Sequence, residues 1–517
     1  MWMYGLGKIP LGVIGVPLAV TIPQFYGGDL GVNAALVGAM ILLARVTDVF
    51  TDPLIGLLSD RTRTPIGRRK PYIFAGIPIF MVALWFLFVP GDNGTAGWLA
   101  FWVIVLYFGW TLIELPYGSW GAELSLQYQT RTKIMGLREG LGQVAQLIAV
   151  AVPLIAVAVF AAEGNREVLM IVAITMLILT PLLFAPGLLF VKERPPLDVP
   201  HKPIPFKEKV SIILNNGPAI RILIVLTVVL LALGITATLA LPWFQNVLGL
   251  SEGQSYALLA VQYFFTIISI PFWIGIANRY TKHKVTMWAF IGLAVIAPLV
   301  FTLPYLPFDV FWAILGALVY IGFLSGATSV LPSAMMPDAV DLDTWRSGEQ
   351  RTGLYYAALG MALKLAIGLG VFIAGVMVVA FDFDMAQGAT NTDQAKMLMT
   401  VGFAIVPPAL NMTVVGILWN YPLGPERHDT LRRALLRRQK YSGTVDGEDQ
   451  LHLPQGADIG DIVKRHGGAR MVAQMAGRSR KKDQTSIITS WIAVTTARVT
   501  AAPVKAELTS SDKAADR

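Results

Sequence analysis

The chain contains no cysteine in its 517 residues and only five histidines. Without cysteine there can be no disulfide staples, thiolate-held zinc, iron–sulfur cluster or Cys nucleophile. There is no His-Glu-x-x-His, no Gly-x-x-x-x-Gly-Lys-Ser/Thr phosphate loop and no convincing nucleophile motif, so neither an enzyme nor a cofactor is expected. Charge is scarce too, at 14% Asp, Glu, Lys and Arg, where soluble domains carry about 25%. What fills the sequence is apolar: 55% of residues are hydrophobic and the mean hydropathy is +0.60. A soluble core of this length cannot hide that much apolar surface, and a disordered chain would not contain it. The composition predicts an all-α membrane protein with many spans.

The net charge of +8 is unevenly placed. Residues 425–517 hold 17 of the 41 Lys and Arg and 11 of the 33 Asp and Glu, so the tail carries +6 and the apolar body only +2. Nucleic-acid binding is therefore not expected. A bilayer core needs about 20 apolar residues per helix, and such runs fall at 4–26, 34–58, 71–89, 97–118, 136–162, 167–191, 219–246, 253–277, 285–307, 309–332, 353–380 and 397–420. Twelve spans result: an N-terminal six-helix half (1–191), a polar connector (192–218) with a short amphipathic stretch Phe206–Leu214, a C-terminal half (219–420) and a tail (421–517). Within the tail, His428–Lys440 can form a basic amphipathic helix on the inner leaflet, and the rest is expected to be largely disordered.

Lys and Arg set the orientation. They crowd the loops after spans 2 (Arg61, Arg63, Arg68, Arg69, Lys70), 4 (Arg131, Lys133), 6 (Lys192, Arg194, Lys202, Lys207, Lys209) and 8 (Arg279, Lys282, Lys284), and nearly vanish from the others. Even-numbered loops and both termini are expected in the cytoplasm of a plasma (inner) membrane protein. The short lead before Gly7-Lys8 leaves two options, a first turn at the interface or a start further upstream.

Charges inside spans are expensive and mark function. Span 2 carries Arg45, Asp48 and Asp52, followed by Pro53. The two acids are i and i+4, on one helix face with Arg45. Carboxylates this close repel unless a cation or proton lies between them, which is what a coupling-ion site requires. Span 4 adds Thr111 and Glu114, again on one face, and span 11 adds a single Lys364. If spans 2 and 4 pack together, Asp48, Asp52, Thr111 and Glu114 offer hard oxygens to Na⁺ or H⁺, with Lys364 balancing the acids when the cation leaves.

Two halves joined by a connector are the pattern of alternating-access carriers. Gly56…Asp60-Arg61…Gly67-Arg68-Arg69-Lys70 after span 2 has a basic counterpart, Asn278–Lys284, after span 8, and the first stretch resembles the corresponding loop of the major facilitator superfamily. With Ala44-Arg45…Asp48…Asp52-Pro53, and with Pro337-Asp338-Ala339-Val340-Asp341…Trp345…Gly348…Arg351 before span 11, residues 1–420 resemble the glycoside–pentoside–hexuronide:cation symporters, the melibiose-permease group. The resemblance implies the major facilitator fold, a monomeric carrier in its bilayer, and symport of a sugar or glycoside with Na⁺ or H⁺. It carries the cation-site acids to Asp48 and Asp52, the span-4 pair to Thr111 and Glu114, the span-11 lysine to Lys364 and, one position off, a sugar-contacting arginine to Arg138. Asp60, Arg61, Arg68, Arg69, Asp338, Asp341 and Arg351 become the cytoplasmic gate.

Two positions depart from that pattern. The family's sugar-gripping aspartate after Gly-Lys is here Ile9, following Lys8, and its sugar-stacking aromatic is here Gly118, leaving Tyr117, Trp120 or Trp345 as substitutes. Transport of an amphiphile such as a lysolipid is the alternative, and a polytopic membrane protein that does not transport is the rival from another class.

Overall fold

A computed structural model describes residues 1–422 apart from 92, 126–127, 194–204, 308 and 348–350. Twelve helices among the described residues are long and apolar enough to cross a membrane: Trp2–Asp29, Ala34–Arg61, Lys70–Phe88, Ala96–Gly121, Lys133–Phe160, Gly164–Phe190, Gly217–Val247, Glu252–Arg279, Lys282–Tyr305, Val310–Ser347, Thr352–Ala380 and Asp393–Trp419. These are spans 1–12 below. Their positions follow the apolar runs, because bilayer thickness fixes how much apolar chain each helix needs. Polar caps set several starts: the Asn33 side chain accepts from Ala35 and Leu36, Thr95 from Trp98 and Thr392 from Ala395, and Ser251 forms a capping box with Gln254. The connector helix forms at Phe206–Leu214, as its amphipathic pattern predicts. The expected tail, including His428–Lys440, lies outside the described residues beyond position 422, as does Gly348 of the sequence motif.

Span 10 differs from expectation. After Val330 the chain makes a 3₁₀ turn at Ser333–Met335 and continues as a helix over Met336–Ser347, so the stretch read as a loop is helical. Its composition is polar, but Asp338 in the first turn favours the helix N-terminus and Arg346 in the last turn favours the C-terminus. Span 1 is the least regular. It is assembled from Trp2–Gly5, Lys8–Val13, Gly15–Ala19 and Thr21–Gln24, with Pro10, Pro17 and Pro23 each removing a backbone donor.

The two halves repeat a device that the sequence reading did not detect. Spans 1 and 7 both end in a π-helical turn, Phe25–Asp29 and Trp243–Val247. Each turn runs into a Leu-Gly pair whose glycine has positive φ (Gly31 at 68°, Gly249 at 70°), and then into the cap of the next span. This end of the bundle is acidic: Asp29, Glu163, Glu167, Glu252, Asp382, Asp384 and Asp393 cluster in its loops and span termini. The opposite end carries the basic loops.

The halves meet at the acidic end. A Cβ on Gly38 of span 2 would stand 2.6 Å from the Phe372 Cα of span 11, and one on Gly375 would stand 2.2 Å from the Ala34 carbonyl. Towards the basic end, a Cβ on Gly56, Gly353 or Gly360 would touch nothing within 4 Å. Hydrogen bonds agree: Gln24 donates to Gln245 at 2.7 Å, Thr238 to the Ala19 carbonyl at 3.1 Å and the Gly164 amide to Glu252 at 3.1 Å, and the Thr21 and Tyr256 hydroxyls lie 3.5 Å apart. Away from that end, Lys364 joins the halves through its hydrogen bonds to Asp52. The halves are thus closed at the acidic end and diverge towards the basic end.

Candidate functional site

The acids of span 2 face span 11, because the small residues Gly38, Gly368 and Gly375 let the two helices approach closely. Lys364 Nζ lies 2.7 and 3.0 Å from the Asp52 oxygens and 3.3 Å from Asp48 Oδ2. Span 4 completes the group, with Thr111 donating to Asp52 Oδ1 at 3.0 Å. Asp48 is 3% exposed and its Oδ1 is buried with no hydrogen-bond partner. Arg45 makes only a long contact to Asp48, at 3.5 Å. Its guanidinium instead lies 3.7 Å from the Tyr107 ring centroid and 5.5 Å from that of Trp110, a cation–π seat on span 4. One ammonium therefore holds two carboxylates a turn apart, and it does so across the two halves.

Glu114, expected beside these acids, has other partners. Lys8 donates to its Oε1 at 2.7 Å, Arg138 makes a second ion pair with the same oxygen, and Oε2 is buried without a partner. Lys8 opens the second helical piece of span 1, and Arg138 also lies 3.4 Å from Glu139 of its own span, whose side chain is 66% exposed. Span 4 thus carries two polar sites one turn apart. Thr111 belongs to the Asp48–Asp52–Lys364 group, and Glu114 belongs to a group with Lys8 and Arg138.

Of the substitutes for a sugar-stacking ring, Tyr117 and Trp120 are each 1% exposed. Tyr117 stacks on Tyr4 at 4.5 Å between centroids, the two hydroxyls each donating to a carbonyl of the partner's span, and Trp120 sits edge-on to Tyr4. Both aromatics pack inside the first half and offer no open ring face. Trp345 stands 43% exposed on the helix Met336–Ser347. Ile9 is buried, and a Cβ on Gly118 would lie 3.6 Å from both terminal nitrogens of Arg138, so the guanidinium occupies the space above the glycine.

At the basic end, Arg69 donates to Ser59 and Glu123 at 2.7 and 2.8 Å and pairs with Asp60, and Arg68 pairs with Glu123 at 2.8 Å. Burial alone lowers the Arg69 guanidinium, but the hydrogen bond and charge of Glu123, with the charge of Asp60, hold it above its ordinary value. Glu193 accepts from the backbone N–H groups of Arg68, Arg69 and Lys70 at 2.7, 3.1 and 2.7 Å, capping span 3. In the second half Lys282 pairs with Asp338 at 2.7 Å. Arg61 is the exposed last residue of span 2, Asp341 lies on the Met336–Ser347 helix, and Arg351 immediately precedes span 11. The pairs Arg68–Glu123, Arg69–Glu123, Arg69–Asp60 and Lys282–Asp338 each join residues of one half. Tyr4, Tyr107, Glu123 and Glu193 escaped the sequence reading. Glu123 and Glu193 stood out only as charges at span ends, and the two tyrosines carried no local signal, since their partners lie on other helices.

The chain matches the family of MFS/sugar transport proteins over residues 3–425. It belongs to that family. It is 24% identical over 401 residues to the isoprimeverose transporter of Lactiplantibacillus pentosus, covering 75% of this chain and 82% of that one. It is 23% identical over 495 residues to the sodium-dependent lysophosphatidylcholine symporter 1-B of Danio rerio, covering 87% and 91%. Among solved structures it resembles a D-xylose-proton symporter, with TM-score 0.56 and 13% identity over 81% of this chain and 96% of that one. The fold is that of the major facilitator transporters, and the chain is a multi-pass membrane transporter and not an enzyme.

Proposed function

We propose that the chain is a cation-coupled symporter of a sugar or glycoside, with the coupling ion, Na⁺ or H⁺, taken at Asp48, Asp52 and Thr111. The observation that carries this reading is the pair of polar sites one turn apart on span 4, one seated on Lys364 and the other on Lys8 and Arg138. In the cation-free state Lys364 serves as counter-ion to both aspartates. A cation entering among the aspartates and Thr111 neutralises them and displaces the ammonium, which removes a polar tie between the halves away from the acidic end. The halves are then free to rock. Solute binds at Lys8, Glu114 and Arg138, where a carboxylate accepts from hydroxyl groups and two cations donate. Because Thr111 and Glu114 share a helix turn, ordering either site orders the other, and the coupling is reciprocal. With the basic loops in the cytoplasm, the structure corresponds to the state open to the inside, and the basic-end ion pairs brace each half as a rigid body.

Specific features favour a second reading, transport of an amphiphile. Tyr117 and Trp120 are buried, and Gly118 leaves no ring over the solute site. One relative's name also specifies lysophosphatidylcholine. A thermal-unfolding panel of glycosides, hexuronides and lysolipids on wild type and Glu114→Gln decides between them. One class is expected to raise the melting point of wild type alone, while the cation-induced rise persists in both proteins. A solute shift that survives Glu114→Gln contradicts the assignment of the solute site.

A further inference from the structure

A second cluster of oxygens lies at the acidic end, separate from the Asp48–Asp52 site. Asp29 ends span 1, Asn165 is the second residue of span 6, Glu252 opens span 8, and Gln387 lies in the turn between spans 11 and 12. Asn165 Nδ2 donates to Asp29 Oδ2 at 2.8 Å, and the adjoining Gly164 amide donates to Glu252 Oε2 at 3.1 Å. Gln387 touches both carboxylates, with its backbone N–H on Asp29 and its side-chain amide on Glu252. Its Oε1 would stand 3.5 Å from a Cβ on Gly164. Residues from both halves therefore converge on the dipeptide Gly164-Asn165.

The charge of this cluster is unanswered. No basic nitrogen among the described residues lies within 4.0 Å of Asp29 or Glu252, and the neighbouring Arg166 donates to the Gly91 carbonyl instead. Asn165 is 1% and Glu252 8% exposed, yet Asn165 Oδ1 and Glu252 Oε1 are buried with no hydrogen-bond donor. Buried acceptors without donors, beside two like charges, are a standing cost that a cation removes. No group of three or more His, Asp or Glu gathers to hold a metal among the described residues, so the donors here are two carboxylates and two amide oxygens. Such hard, neutral-and-anionic oxygen sets, completed by water, suit calcium, which tolerates irregular coordination, better than magnesium, zinc or copper. Asp29 is exposed and gives the ion a way in.

We infer that Asp29, Asn165, Glu252 and Gln387 form a calcium site that bridges the two halves at the acidic end. Its ligands come together only while that end is closed, so calcium binds the closed state and stabilises it. The site is a brake on opening and not the coupling-ion site.

The test uses the full-length protein in detergent, stripped with EGTA and dialysed against ⁴⁵Ca²⁺ at fixed ionic strength. One saturable calcium per chain and a raised melting point are expected, and Asp29→Asn and Glu252→Gln should each weaken binding at least about tenfold. Asp52→Asn should leave calcium binding unchanged. Because Glu252→Gln alters a buried group, Asp29→Asn at the exposed ligand is the deciding variant, with its melting point in EGTA as the folding control. Absence of saturable binding at about 1 mM free calcium, or an affinity unaltered in Asp29→Asn, overturns the inference.

Discussion

Replacing Lys364 with alanine removes the ammonium that lies 2.7 Å from Asp52 and 3.3 Å from Asp48. Asp48 would then keep only Arg45, at 3.5 Å, and face the carboxylate of Asp52 one turn away. Breaking a fully buried ion pair costs about 3–5 kcal/mol. The Lys364 and Asp52 side chains retain 28% and 23% exposure, which screens their share and brings the cost in cation-free buffer to about 2–3 kcal/mol. The same quantity reappears with opposite sign in cation binding, since the ion no longer has to displace the lysine. At 1.4 kcal/mol per decade, the coupling cation should bind Lys364→Ala roughly 30–150-fold more tightly than wild type. Melting curves of both proteins, titrated with NaCl at constant ionic strength and repeated across pH, measure this directly. The variant should melt lower without cation and recover at lower cation concentration. If its cation-free stability equals that of wild type, or its apparent cation affinity is unchanged or weaker, Lys364 is not the resident counter-ion.

Gly38→Val should destabilise closure at the acidic end by about 1–3 kcal/mol, because the new Cβ meets Phe372 Cα at 2.6 Å and the Val371 carbonyl at 2.9 Å. As the chain has no native cysteine, a single Gln245→Cys reports this cleanly. Its labelling by an impermeant maleimide should be faster in the Gly38→Val background, and equal rates would contradict the closed-end description. Glu193→Gln keeps the shape but removes the charge that accepts three backbone N–H groups. A loss of about 1–3 kcal/mol is expected, seen as a lower melting point with unchanged cation and solute shifts. Arg45→Lys should cost about 1 kcal/mol through loss of the planar seat on Tyr107, and Arg45→Lys with Tyr107→Leu should cost little more than either change alone.

The spans were legible because the bilayer enforces one length and one composition on every crossing. Asp48 and Asp52 were legible as a pair because i,i+4 spacing is a local property of any helix. Their union with Lys364 is a tertiary fact, resting on glycines at 38, 368 and 375 that let spans 2 and 11 touch. The partners of Glu114 were hidden for the same reason: Lys8 and Arg138 sit on different helices, and the sequence shows only that all three are charged within apolar runs. Polar composition before span 11 masked a helix, since Asp338, Asp341 and Asp343 read as loop residues until the Met336–Ser347 geometry is known. The repeated π-turns of spans 1 and 7 share little beyond Pro, Phe and a Leu-Gly pair, too few identities to stand out from the sequence.

The central claim is that the span-2 carboxylates convert a cation gradient into solute movement. The direct measurement is solute uptake into liposomes containing purified wild type or Asp52→Asn, driven by an imposed sodium gradient and, separately, by a proton gradient. One gradient should drive accumulation of one solute class by wild type, and Asp52→Asn should retain solute binding and lose accumulation. Accumulation by Asp52→Asn at the wild-type level, under the same gradient, contradicts the account.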